Sequence, residues 1–78
     1  MIDRKTVHWL LDKLCVDMGF CLRATEVERL ANDPPEDAIA FTDEVFRSEG
    51  LDPQTVDRHQ YRQVRAIVSD AFRETCNG

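Results

Sequence analysis

No apolar run in this sequence approaches the ~18–20 residues that a bilayer-spanning helix requires. The chain opens Met-Ile-Asp-Arg-Lys and shows no secretory apolar segment. Both absences lead us to expect a cytoplasmic protein with no membrane partner. Alternating apolar–polar runs of strand length are also missing, so no sheet is expected. The three glycines stand alone at positions 19, 50 and 78, which excludes a phosphate-cradling glycine loop. Neither a Gly-x-Ser-x-Gly elbow nor a His-Glu-x-x-His zinc motif occurs. A domain this small has little room for a ligand pocket of typical size, about 300–1,000 Å³. An enzyme is therefore not expected.

Cysteine is sparse and odd in number, with three residues. Cys15 and Cys21 are six apart, and Cys76 is remote. The spacing matches neither a disulfide framework nor the paired ligands of a structural zinc site. In a reducing compartment the thiols are expected to be free, with Cys15 and Cys21 packed as small buried hydrophobes and Cys76 exposed. His8 and Cys15 fall on one side of the first helix, so a single metal could touch both. That spacing alone does not make a site, and no metal or other cofactor is expected.

What is present is the composition of a folded chain, 42% apolar and 32% charged. Ten basic against fifteen acidic residues give a net charge of −5, which opposes non-specific attraction to nucleic acid or anionic lipid. The imbalance is uneven. Residues 1–52 hold twelve acids and six bases, and residues 53–78 hold three acids and four bases, all arginine.

Helix signals recur along the whole length. Asp3 and Gly19 fit the N-cap and αL C-cap of a helix from Arg4 to Met18. Phe20-Cys21-Leu22 is a connector that drops Phe20 or Leu22 into the core. Thr25 to Glu28 reads as a capping box starting a short helix, Glu26 to Ala31. Asp33-Pro34-Pro35-Glu36 reads as a cap, a proline-initiated first turn and a second box. It would open a helix to Ser48 closed by Gly50, with Ala38, Ile39, Phe41, Thr42, Val45 and Phe46 inward. Asp52-Pro53 repeats the device for a last helix towards Thr75, with room for a break near Arg58 or His59. Its apolar arc is Val56, Tyr61, Val64, Ile67, Val68, Ala71 and Phe72. The expectation is one all-α domain over residues 1–78, a small bundle of four helices, one short.

Two features stand outside the core pattern. The first helix carries Val7, Leu10, Leu11, Leu14 and Met18 on one face, while Trp9 and Val16 lie together on nearly the opposite face. Either the short helix or the connector folds over that second face, or it is kept for a partner or a second copy. On the last helix Arg58, Arg62, Arg65 and Arg73 share an arc of about 80° opposite the apolar face. Arginines so placed either form ordinary surface pairs or dock a carboxylate-rich partner or nucleic acid. The acids Asp33, Glu36 and Asp37 are read as helix-start charges, not as a metal site.

These residues point to a small non-enzymatic protein-interaction module, an adaptor, regulator or inhibitor, binding another protein or a second copy as a homodimer. Trp9 and Val16 would be buried in the contact, and the arginines would orient it. A nucleic-acid regulator with a helix-turn-helix arrangement is the alternative, although its recognition helix would carry Glu36, Asp37, Asp43 and Glu44, which phosphate repels. A metal- or redox-responsive thiol protein using Cys15, Cys21 and His8 is the second alternative.

Overall fold

The computed structural model describes residues 2–77, and of residues 74–77 the backbone only. Among the described residues there are four helices and no strand: α1 (Arg4–Met18), α2 (Ala24–Asn32), α3 (Ala38–Ser48) and α4 (Arg58–Asn77). The fold is thus a small all-α bundle. No helix among the described residues is long and apolar enough to cross a membrane.

The first helix has the bounds its caps imply. Asp3 Oδ1 accepts the Thr6 amide at 2.8 Å. Gly19 closes the other end at φ 75°, its amide donating to Cys15 O while the Phe20 amide reaches Leu14 O at 3.2 Å. These bonds satisfy carbonyls that would otherwise be orphaned.

The other three starts lie elsewhere than the sequence suggested. α2 begins at Ala24, and its N-cap Arg23 makes no side-chain bond. Thr25 is inside the helix, and Glu28 is drawn to Arg4 at 2.6 Å instead of closing a box. Neither Asp33 nor Glu36 caps α3. Asp37 does, accepting the Ala40 amide at 2.8 Å. The residue before a proline is kept out of the helical region, so Asp33-Pro34-Pro35 holds the chain open until Asp37. Asp52-Pro53 opens only a single turn, with the amides of Thr55 and Val56 bonded to Asp52 O. The break falls after it, and α4 starts at Arg58 with Asp57 Oδ1 accepting the His59 amide at 3.1 Å.

α1 packs against both α2 and α4, and α3 packs against α4. The gap between α2 and α3 is spanned by polar contacts, Arg29 to Glu44 and Ser48 to Glu26, each 3.2 Å. The core takes Val7, Leu10, Leu11 and Leu14 from α1, Leu30 and Ala31 from α2, Phe41, Val45 and Phe46 from α3, and Val64, Val68 and Ala71 from α4. Ile2 and Phe20 join it from outside the helices. Phe46 is central: Phe20 meets it edge-on at 5.2 Å and Tyr61 stacks on it at 5.5 Å. Thr42 is the buried polar residue of this core, and its hydroxyl donates to Ala38 O at 2.7 Å. Ile39, expected inward, is 57% exposed at the start of α3.

Candidate functional site

Trp9 and Val16 are uncovered. The indole is 51% exposed and Val16 77%. Neither α2 nor the connector folds over them, because α2 meets the other flank of α1, where Arg4 and His8 approach Glu28. Seven residues separate the pair, about 10.5 Å along the helix at 1.5 Å per residue. Lys13 lies between them, its Nζ 5.9 Å from the indole centroid and 3.0 Å from Asp17. Lys5 and Asp12 are exposed on the same side of the helix. The outer face of α1 is therefore two apolar side chains set in mixed charge, with a weak cation–π contact steadying the ring.

The arginines of α4 are all exposed, but they do not act alike. Arg58 is folded back, donating to Pro53 O and Val56 O, with its guanidinium 5.0 Å from the Tyr61 ring centroid. Arg73 pairs with Asp70 at 2.9 Å. Arg62 and Arg65 make no ion pair with another described residue. Tyr61 and Phe72 mark the flank of α4 that meets α3. Arg58 and Arg65 are the cations beside Tyr61. Arg58 and Arg65 thus lie beside the part of α4 that meets α3, and the apolar pair sits on another helix, α1.

Burial, and the hydrogen bond its hydroxyl donates to Asp43 at 2.8 Å, raise the Tyr61 phenol above its ordinary 10.0, against the opposing pull of Arg65 and Arg58. A raised value in the folded state means that this contact stabilises fully below pH 10.0 and is lost as pH rises through the folded value. The chain has a single tyrosine, so phenolate absorbance reports it alone. The expected result is a titration displaced to higher pH and a denaturant midpoint that falls alongside it, with Tyr61→Phe removing that fall. An undisplaced titration would contradict the contact.

Cys15 and Cys21 are not free thiols. They form a disulfide with Cα atoms 4.3 Å apart, half-buried at Cys15 and exposed at Cys21. The sequence spacing concealed this because the left-handed Gly19 folds the chain back on the last turn of α1. Bonded sulfurs are also not available to a metal alongside His8. Among the described residues no three His, Cys, Asp or Glu side chains are grouped to hold a metal ion. Cys76 has its side chain outside the described residues.

Two concave regions escaped the sequence reading. A cleft of about 220 Å³ lies between α1 and α2, lined by His8, Leu11, Cys15, Cys21, Leu22 and Val27. An open groove of about 390 Å³ lies between α2 and α3, where the Pro34-Pro35 turn leaves them apart. Its charged walls already pair internally, Arg29 and Arg47 both reaching Glu44 at 3.2 Å. Glu26 is held below the usual carboxylate range, chiefly by Arg29. Both of the groove's arginines are thus engaged by neighbouring carboxylates. No protein-family model, curated protein or solved structure matches this chain.

Proposed function

We propose that this protein is a non-enzymatic interaction module whose contact surface is the outer face of α1. The observation that carries the reading is the exposure of Trp9 and Val16 together, 51% and 77%, on a helix that buries Val7, Leu10, Leu11 and Leu14 on its opposite side. Tryptophan is among the residues most concentrated at interface centres, where the ring fills a desolvated pocket. Leaving it in water in a chain with one tryptophan has no packing benefit to offset it.

The size of the face bears on the partner. Two side chains cannot supply the ~800 Å² per partner of a standard interface. Lys5, Asp12 and Lys13 must enter it as a polar rim, and the partner is best matched by another protein with a pocket for the indole and charges of both signs around it. The α4 arginines stand on another helix and are not part of this contact.

Photo-crosslinking tests the reading. A photoreactive residue at Lys13 in the tagged chain, expressed in its own cells, is expected to give one discrete heterologous adduct. The same residue at Gln63, exposed on α4, is expected to give none. Equal adducts from both positions, or none from Lys13, sink the proposal. Sedimentation equilibrium of the pure chain separates the homodimer from another partner: a monomer at micromolar concentration is the expected result, and a stable dimer dissolved by Trp9→Ala would overturn the heterologous assignment.

A further inference from the structure

The Cys15–Cys21 bond fastens the last turn of α1 to the chain just ahead of α2. The other contacts at that end of α2 are partial. Its N-cap makes no side-chain bond, and its fully buried residues, Leu30 and Ala31, lie in its C-terminal half. The N-terminal half reaches its neighbours through the partly buried Val27, packed against the core, and through polar contacts, the exposed Glu28–Arg4 pair at 2.6 Å, a class worth little individually, and the part-buried Ser48–Glu26 bond at 3.2 Å. Where this half faces α1 there is the 220 Å³ cleft, lined by Leu11, Leu22 and Val27 together with His8 and Asp12. The disulfide is one wall of that cleft.

We infer that Cys15–Cys21 is a redox latch: reduction frees the N-terminal half of α2 from α1 and widens the apolar cleft, and oxidation closes it. The inference is independent of what the outer face of α1 binds. Cys21 is exposed, so a dithiol reductant reaches its sulfur without unfolding the domain. One thiolate of the reductant attacks Cys21 Sγ, forming a mixed disulfide and expelling Cys15 as a thiolate, which takes a proton. The second thiolate then attacks the reductant's own sulfur in that mixed disulfide, closing the reductant's disulfide and releasing Cys21, which is protonated in turn. Two electrons and two protons pass from reductant to protein. The pair can re-form because what brings it together survives its cleavage. The left-handed Gly19 cap and Phe20, buried against Phe46, limit how far Cys21 can move from Cys15, while the chain beyond Cys21 is released.

Amide hydrogen exchange on the full chain carrying Cys76→Ser, oxidised and then reduced with dithiothreitol, is the test. The amides of Val27, Glu28 and Arg29 are expected to exchange at least about tenfold faster after reduction, while those of Val64 and Val68 change less than about twofold. Oxidised glutathione should restore slow exchange and an intramolecular bond. Equal acceleration in α2 and α4 overturns the latch, since the bond would then only add global stability. Unchanged exchange in α2 overturns it as well. A Cys15→Ala/Cys21→Ala variant in the same background must reproduce the reduced pattern, and a variant retaining the oxidised pattern counts against the inference.

Discussion

Phe46→Ala is expected to cost this protein a large share of its stability. Phe46 is fully buried and is the one ring in contact with both the connector, through Phe20, and α4, through Tyr61. Truncating a buried phenylalanine costs about 3–5 kcal/mol, made up of lost apolar transfer and the cavity left behind. A chain of this length holds roughly 4–12 kcal/mol in all, at 0.05–0.15 kcal/mol per residue. The cavity would be poorly repaired, because Phe20 hangs from a turn fixed by the Gly19 cap and cannot follow. Calorimetry or circular dichroism should show Tm lower by roughly 12–40 °C, at 4–8 °C per kcal/mol for domains of this size. A loss below about 5 °C would show that the core is not organised around this ring.

Trp9→Ala is the opposite case. The indole touches solvent over half its surface, so its removal should change stability by no more than about 0.5 kcal/mol. Affinity for the protein captured through α1 should drop at least about 30-fold, the 2 kcal/mol or more typical of a central interface aromatic. Val16→Ser, two turns away on the same face, should weaken binding by a smaller factor. Titration calorimetry with the identified partner, beside a denaturation curve for each variant, separates the two quantities. A large stability loss in Trp9→Ala would make the tryptophan structural and remove the main support for the proposed function.

The parts of the fold that could be read from the chain are those where one signal stands alone. Asp3 and Gly19 have no rivals near them, and α1 has the bounds they imply. Where signals compete, tertiary geometry decides. Asp33 and Asp37 are both good caps, and only the stiffness of Pro34-Pro35 selects the second. Thr25 loses its role because Glu28 finds a stronger partner in Arg4, 24 residues away. Asp52 succeeds as a cap but its turn is not continued, since Asp57 offers a second start. The disulfide was illegible for a different reason: a six-residue spacing carries no information about a bond made by one left-handed residue between the cysteines. Periodicity revealed that α1 has two apolar sides, but the side left open depended on where α2 docks, which no pattern within α1 encodes. The arginine arc was visible on a helical wheel, yet the folded-back Arg58 and the paired Arg73 depend on Tyr61, Pro53 and Asp70, which the wheel does not place.

The placement of the two large polar aromatics also determines what light can report about this molecule. The single tryptophan is outside and the single tyrosine is packed on the core. Indole emission is then already that of a solvated chromophore in the native state, and it will barely shift when the chain unfolds. The same emission should move to shorter wavelength when a partner closes over α1. The intrinsic fluorophore of this protein is accordingly a built-in docking gauge and a poor melting gauge, and its folding is better followed through the phenol and the helical backbone.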